Sequence, residues 1–296
     1  MSRLITGLVL VFLLASPSFG AAKEKPFTGR VIKDVVYVER GRKELKLDVF
    51  VPAGEPKKAP MVLVIHGGGF IGGVRLMMAP LCKVLAENGM VAFSLQYRLA
   101  PRYRFPAPTE DTRCALRWLA RHGPEYGGDP ARIGVTGESA GGYLSAMSIF
   151  PAADRFSEEP CPEGVEQVPA IRAAVLYYGP YDLVKSYDYD YWGIRPLYYF
   201  ALGATLKQAP ERYREQSPIT YLHPGLPAIL LQSGTYDYFL PEAKDLYQRL
   251  KEMGEPVELI VWEKAKHGFA VIPGSVPGPV NFDKTAEFFL EHLAAD

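Results

Sequence analysis

The sequence predicts an α/β fold centred on one mostly parallel sheet with helices on both faces. Apolar runs alternate with helical segments along the whole chain. The later runs are continuously apolar, which is typical of strands that are covered on both faces. The first two runs alternate in polarity around the short turn 41–43, and this pattern predicts an N-terminal antiparallel hairpin.

The individual elements follow from these patterns in chain order. The predicted strands are 31–38, 45–51, 61–65, 90–95, 132–136, 173–178, 228–232 and 257–262. Between and after them lie three helices with clear ends. One covers 109–122 and stops at Gly123, the second begins at Pro241 and stops at Gly254, and the third covers 282–293.

Composition and the N-terminus limit the possible partners and compartments. The chain has 296 residues, 48% hydrophobic and 22% charged, with zero net charge. A neutral chain gives no reason to expect nucleic acid or an anionic membrane surface as a partner. Arg3, the apolar run 8–14 and the small residues of 16–22 predict a cleaved secretory signal over 1–21; an N-terminal strand or a membrane anchor are the alternatives. We therefore expect a secreted or periplasmic protein, with no membrane span after cleavage and a single domain over 22–296.

Three cysteines follow the predicted signal, Cys82, Cys114 and Cys161. An exported protein can form disulfides, but an odd number leaves at least one thiol free. Cys114 lies on an apolar helical stripe, so we expect it to be a buried and inert thiol. The sequence has no cysteine and histidine spacing typical of a metal site, and we predict neither a metal nor a cofactor.

A G-x-S-x-G pattern at 137–141 places Ser139 between a predicted strand and a predicted helix. Such a turn holds the serine in a strained backbone conformation and lifts its hydroxyl clear of the sheet. The N-terminus of the following helix and the amide of Ala140 then point at any negative charge beside the serine. This arrangement is typical of the nucleophile in an acyl transfer.

A serine nucleophile needs a base, a carboxylate that orients the base and donors that stabilise an oxyanion. His267 follows the last predicted strand, and we predict that it is the base, with His223 as its rival. Asp237 follows the preceding strand, and we predict that it orients the base, with Asp182 as the alternative.

The loop after the third predicted strand contains three consecutive glycines between His66 and Phe70. Glycines let backbone amides turn inward without obstruction by side chains, and such amides can bind a tetrahedral oxyanion. We expect His66 to hold this loop in place and not to act as a base.

The aromatic-rich segment 177–200 departs from the regular alternation and predicts a small insertion, about 179–220, as a partial cap. Its rings either form the wall of a substrate pocket or simply pack the insertion onto the domain, and the sequence leaves both interpretations open. The candidate pocket residues are Phe70, Tyr181, Tyr187, Trp192, Tyr198 and Phe269.

Several motifs together resemble the hormone-sensitive-lipase-like branch of the α/β-hydrolases, with its secreted bifunctional feruloyl and acetyl-xylan esterases. The similarity covers nearly all of the chain after the predicted signal. The motifs that carry it are His66-Gly67-Gly68-Gly69, Tyr97-Arg98-Leu99-Ala100-Pro101, Gly137-Glu138-Ser139-Ala140-Gly141-Gly142 and His267-Gly268-Phe269, with Leu47-Asp48-Val49-Phe50-Val51-Pro52 and Gly127-Gly128-Asp129-Pro130-Ala131-Arg132-Ile133 for the secreted esterases.

The resemblance implies an α/β-hydrolase fold and a role for each matching residue. Ser139 is then the nucleophile, Asp237 the acid and His267 the base. The amides of Gly68, Gly69 and Ala140 would form the oxyanion hole.

Two further carboxylates have implied or open roles. A carboxylate at the position of Asp111 commonly steadies the glycine loop in this family. Glu138 either tunes the site or lies in a hydrogen-bonded niche. The chain departs from many members in having too few residues before His66 for a helical N-terminal cap, and this shifts attention to the aromatic insertion as the pocket wall.

The sequence therefore predicts a secreted serine carboxylesterase, acting on acetyl or feruloyl esters of plant polysaccharide or on small esters. A generalist short-chain carboxylesterase or lipase-like enzyme is the alternative. A secreted serine peptidase and a non-catalytic binding module are further alternatives. The oligomeric state is left open.

Overall fold

The structure is a computed structural model and describes residues 26–152, 155–156, 161, 168–189 and 193–295. The predicted signal at 1–21 and the candidate Trp192 lie outside these residues. The strands are β1 (Arg30–Arg40), β2 (Lys43–Val51), β3 (Ala59–Ile65), β4 (Val91–Leu95), β5 (Gly128–Glu138), β6 (Ile171–Tyr177), β7 (Ala228–Tyr236) and β8 (Val257–Lys266). The helices are α1 (Ala79–Glu87), α2 (Ala107–His122), α3 (Ala140–Ile149), α4 (Leu183–Ser186), α5 (Ile194–Leu202), α6 (Pro210–Glu215), α7 (Leu240–Glu252) and α8 (Val280–His292).

The described strands form one eight-stranded sheet in the order β1-β2-β4-β3-β5-β6-β7-β8. The pairs β1–β2 and β2–β4 are antiparallel, and all later pairs are parallel. Because the strands from β3 to β8 are parallel, the turns that follow them lie at the same edge of the sheet. Loops in this position commonly form binding and catalytic sites in α/β proteins.

Helices cover both faces of the sheet. On one face, α1 and α8 bury residues such as Leu81 and Phe289 against the strands. On the other face, α2, α3 and α7 bury residues such as Leu116, Leu144 and Leu246. The central strands β3 and β4 are almost entirely apolar because both of their faces are buried.

The predicted fold class is confirmed, with every predicted strand present in the observed sheet. The hairpin closes at the predicted turn, with Arg40 paired to Lys43. The aromatic insertion between β6 and β7 is helical and contains α4, α5 and α6. Its helices are short, which explains why the sequence shows no clear period there. Within the described residues, no helix combines the length and the apolarity needed to cross a bilayer.

The prediction that Cys114 is an inert free thiol is wrong. Cys114 on α2 is buried, as its apolar stripe indicates, but it forms a disulfide with Cys161. The two residues are 47 positions apart, and their Cα atoms are 5.4 Å apart. Their pairing depends on the contact of Cys161 with α2, a contact between distant positions that the local pattern does not reveal. Cys82 is buried and free.

Candidate active site

Ser139 lies at the turn between β5 and α3, with a φ of +54° and a ψ of −117°. The turn is tight enough that only glycines fit beside it. A β-carbon at Gly137 would lie 2.4 Å from the Gly141 carbonyl oxygen, and one at Gly141 would lie 2.1 Å from the Ile65 carbonyl oxygen. The Ser139 amide donates a hydrogen bond to the Tyr177 carbonyl at 3.0 Å, which holds the strained turn on the neighbouring strand.

The structure brings together the serine, histidine and aspartate that the sequence singled out. His267 directly follows β8, and its Nε2 lies 2.9 Å from the Ser139 Oγ. Its Nδ1 lies 3.0 Å and 3.2 Å from the two carboxylate oxygens of Asp237, which follows β7. The Asp237 side chain is fully buried, whereas Ser139 and His267 are half-buried. An acceptor at Nδ1 keeps the proton there and leaves Nε2 free to accept the serine proton.

The two rival residues lie in other environments. Asp182 begins α4, where its Oδ1 accepts hydrogen bonds from the amides of Val184 and Lys185. His223 is exposed, and its Nδ1 contacts the carbonyl of Pro224. Asp182 is therefore a helix cap, and His223 is a loop residue.

The glycine loop lies beside the Ser139 turn, where the Gly67 amide donates a hydrogen bond to the side chain of Glu138. Gly68, Gly69 and Phe70 all have positive φ, at +109°, +62° and +68°. Within the described chain, the amides of Gly68 and Gly69 have no hydrogen-bond acceptor. Ala140 is the first residue of α3, where amides have no acceptor in their own helix. These three amides are the donors available to an oxyanion on Ser139.

Glu138 occupies a hydrogen-bonded niche behind the glycine loop. Its Oε1 accepts a hydrogen bond from the Gly67 amide at 2.6 Å, and the Tyr178 hydroxyl approaches the same carboxyl group. Burial raises the pKa of Glu138 above its ordinary value. Glu138 thereby connects the end of β5, directly before Ser139, to the glycine loop.

His66 supports the glycine loop, as the sequence predicts. Its ring stacks on Tyr97 with 4.5 Å between ring centroids, and its Nδ1 lies 2.7 Å from the Gly67 carbonyl oxygen. Because a carbonyl only accepts, Nδ1 carries the proton. Burial lowers the pKa of His66 to about 4, so the ring is neutral at pH 7.

Asp111, for which the resemblance implies a role in steadying the glycine loop, is connected to that loop through Arg98. Its buried carboxylate accepts hydrogen bonds from the amide and the guanidinium of Arg98 at 2.8 Å and 2.9 Å. Arg98 belongs to the loop after β4, and two residues later the Ala100 amide donates to the Phe70 carbonyl. Asp111 thus acts on the glycine loop through a second loop.

Three aromatic rings surround His267, and none of them was predicted to lie there. Tyr238 stacks on the imidazole with 4.4 Å between centroids, and Tyr178 and Phe239 meet it edge-on at 4.9 Å and 5.5 Å. The positions of Tyr238 and Phe239 could have been predicted from the sequence, because both directly follow Asp237. Rings packed in this way restrict the rotation of the histidine.

Most of the predicted pocket residues pack the interior instead. Tyr181 and Tyr198 are buried, and their hydroxyls bond the Gly179 amide and the Ser186 hydroxyl. Phe269 is buried against Tyr178. The pocket prediction is therefore corrected for these three rings, which favour the packing interpretation of the insertion.

The remaining two candidates differ in position. Tyr187 is half-buried and meets Tyr213 of α6 edge-on at 5.4 Å, so it joins parts of the insertion. Phe70 is buried beneath the glycine loop, where it packs on Phe105 and Tyr143. Of these two residues, Phe70 belongs to the loop beside the Ser139 turn.

Comparisons with known proteins agree with this geometry. Two esterases of Mycobacterium tuberculosis are similar: LipQ is 32% identical over 71% of this chain and 50% of its own length, and LipC is 31% identical over 79% and 59%. The chain thus spans about half the length of these relatives. The solved structure of propionate-bound esterase 2 from Thermogutta terrifontis is 25% identical, with a TM-score of 0.74, over 91% of this chain and 97% of that one. A butyrate-bound form gives the same TM-score.

A sequence model described as the alpha/beta hydrolase fold matches residues 62–271. This range contains the glycine loop, Ser139, Asp237 and His267. Because the match covers more than half of the chain, the protein belongs to the alpha/beta hydrolase fold family.

Proposed function

We propose that the protein is a serine carboxylesterase that hydrolyses esters through an acyl-enzyme. The observation that carries this proposal is the continuous hydrogen-bonded line from Ser139 Oγ to His267 Nε2, and from Nδ1 to Asp237. The oxyanion donors on the glycine loop and at the start of α3 complete the set of groups that acyl transfer requires. The esterase names of the relatives provide independent support.

In the first half of the reaction, Ser139 Oγ attacks the ester carbonyl carbon while His267 Nε2 takes the hydroxyl proton. The amides of Gly68, Gly69 and Ala140 stabilise the negative charge on the carbonyl oxygen. Asp237 stabilises the imidazolium without taking its proton. The tetrahedral intermediate collapses when His267 gives the proton to the leaving alcohol oxygen, and an acyl-Ser139 ester remains.

In the second half, water takes the place of the alcohol. His267 removes a proton from the water as it attacks the acyl carbon, and the same amides hold the new oxyanion. Collapse of this intermediate returns the proton to Ser139 and releases the carboxylic acid. The cycle restores every group on the protein.

The finer proposal is a secreted or periplasmic enzyme that removes acetyl or feruloyl groups from plant polysaccharide. It is supported by the N-terminal pattern, by the similarity to secreted feruloyl and acetyl-xylan esterases, and by the Cys114–Cys161 disulfide, which is typical of oxidising compartments. Gly68 is exposed and Ser139 is half-buried, so the site opens to solvent, as a polymeric substrate requires.

A generalist short-chain carboxylesterase is the second candidate. The observation that favours it is the similarity to Thermogutta terrifontis esterase 2, which has been solved with propionate and with butyrate bound. A panel of acetylated xylo-oligosaccharide, methyl hydroxycinnamate and short-chain nitrophenyl esters separates the candidates. Activity on the nitrophenyl esters alone favours the generalist enzyme.

Substitution of the nucleophile tests the proposal directly. We expect Ser139→Ala to lower kcat for nitrophenyl acetate by several orders of magnitude, on the order of 10⁴-fold or more, because the acyl-enzyme cannot form. A fluorophosphonate probe should label the native protein and fail to label the variant. Hydrolysis by Ser139→Ala near the wild-type rate, or no labelling of the native protein, would overturn the proposed function.

A further inference from the structure

Leu197 of α5 lies directly over the glycine loop. A β-carbon at Gly69 would lie 2.9 Å from one Leu197 methyl carbon and 3.0 Å from the other. Leu197 and Gly69 are both half-buried, so part of each is exposed to solvent. The Leu197 side chain therefore packs on a residue whose amide is one of the three proposed oxyanion donors.

Helix α5 is held at its C-terminal end by Phe105, which precedes α2, and by Arg212 of α6. The Ala201 carbonyl accepts a hydrogen bond from the Phe105 amide at 3.0 Å, and the Leu202 carbonyl accepts one from the Arg212 guanidinium at 2.6 Å. One residue after Leu197, the buried Tyr198 hydroxyl bonds the Ser186 hydroxyl at 2.6 Å. These contacts hold Leu197 as a rigid wall.

The floor on this side of the cleft is equally rigid. Phe70 is buried beneath the glycine loop, with its ring centroid 5.1 Å from that of Phe105 and 5.2 Å from that of Tyr143. The Phe70 carbonyl accepts the Ala100 amide, which fixes the backbone as well. The glycine loop that Leu197 contacts is therefore held from below by packed rings and by a backbone hydrogen bond, and it does not yield easily.

The proposed reaction decides which part of the substrate lies here. His267 gives its proton to the leaving oxygen, so the alcohol must lie beside His267 and its stacked neighbour Tyr238. The acyl group extends from the same carbon, away from His267 and along the glycine loop. That direction leads to Leu197.

We propose that Leu197 limits the acyl group to short, unbranched chains from acetyl to butyryl. This inference rests on the proposed esterase function and deepens it, because it assigns the acyl specificity to one side chain. Of the two acyl groups considered for polysaccharide esters, it favours acetyl over the bulky feruloyl group.

The test is the acyl-length profile of kcat/KM, measured with nitrophenyl acetate, butyrate, hexanoate and octanoate. In the wild type we expect kcat/KM to fall beyond butyrate. Leu197→Ala should raise the hexanoate-to-acetate ratio of kcat/KM roughly tenfold, since a space for added methylenes opens. Leu197→Phe should act in the opposite direction and lower the butyrate-to-acetate ratio.

A matched control lies on the same helix. Tyr199 is 45% exposed, and Tyr199→Ala should leave the profile unchanged. Unchanged ratios in both Leu197 variants, or an equal change in the Tyr199 variant, would overturn the inference while leaving the esterase function intact. Absence of hydrolysis of all four esters by the wild type, together with absence of fluorophosphonate labelling, would instead refute the esterase function.

Discussion

The two sides of the cleft around Ser139 are built in different ways. The His267 side consists of single residues placed at the ends of adjacent parallel strands, with β7 and β8 paired up to Tyr236 and Lys266. The opposite side is formed by the glycine loop and by α5, which belongs to the insertion between β6 and β7. The first side depends on the sheet alone, whereas the second depends on how an insertion packs on a loop.

This difference separates the residues that carry out the proposed reaction from those that select the substrate. The groups that move protons lie where the sheet fixes them, so the spacing of strands determines their geometry. The apolar groups that meet the acyl chain lie on an inserted helix, which can change without moving the strands. We therefore expect substitutions on the His267 side to change kcat most strongly, and substitutions in the insertion to change substrate preference.

The largest effect should come from Asp237→Asn. An amide in place of the carboxylate favours the wrong tautomer of His267, so we expect kcat for nitrophenyl acetate to fall about 10⁴-fold with little change in folding. Asp182→Asn is the matched control, because Asp182 caps α4 in the insertion and an asparagine caps a helix equally well. Equal losses of kcat in the two variants would contradict the division between the two sides.

A smaller effect should follow from Glu138→Ala. Loss of the carboxylate leaves the buried Gly67 amide without its acceptor and loosens the glycine loop. We therefore expect kcat to fall roughly 10- to 100-fold with KM nearly unchanged. Steady-state kinetics of purified protein measures this split. Glu138→Gln keeps an oxygen acceptor for the amide and should recover most of the activity. A loss in Glu138→Gln as large as that in Glu138→Ala would show that charge, and not loop positioning, is the role of Glu138.

The smallest effect on activity should come from substitution of Glu242, which connects α7 to the start of the insertion. This buried residue of α7 follows the Asp237 turn, and its Oε2 accepts the amides of Tyr181 and Asp182 at 2.5 Å and 2.6 Å. Burial raises the pKa of Glu242 from its ordinary value of 4.5 to about 8. The folded protein therefore holds a proton that the unfolded chain releases between these two values.

Stability should consequently decline as the pH rises from 4.5 towards 8. Glu242 contributes at most about 1.4 kcal/mol per pH unit to this decline in the free energy of unfolding. The stabilisation by the bound proton is fully present below pH 4.5. Urea unfolding of the wild type and of Glu242→Gln at several pH values measures it, with a flatter dependence expected for the variant. Parallel pH profiles of the two proteins would refute the assignment, and kcat at pH 7 should differ little.

The features that depend on strand position could be predicted from the sequence. Each apolar run gives a strand, and the turns after β5, β7 and β8 place Ser139, Asp237 and His267 within hydrogen-bonding distance. The glycines at 137 and 141 also predict the tight turn at Ser139, because a β-carbon does not fit at either position. These inferences succeed because parallel order makes the ends of strands meet at one edge.

The features that depend on packing between distant segments could not be predicted. The insertion is rich in aromatic rings, and the sequence offered them as a pocket wall, yet Tyr181 and Tyr198 are buried and Leu197 contacts the glycine loop. Adjacent positions on a helix point in directions about 100° apart, so the choice between Leu197 and Tyr198 needs the orientation of α5. The Cys114–Cys161 disulfide was missed for the same reason.

The contact between Gly67 and Glu138 has a consequence for mutagenesis of this protein. A β-carbon at Gly67 would lie 2.2 Å from Glu138 Oε1 and 2.7 Å from the Glu138 carbonyl oxygen. A library that randomises position 67 alone will therefore yield almost entirely inactive clones. Shortening the side chain at position 138 removes only the first collision, because the carbonyl oxygen belongs to the backbone, so position 67 requires glycine whichever residue stands at 138.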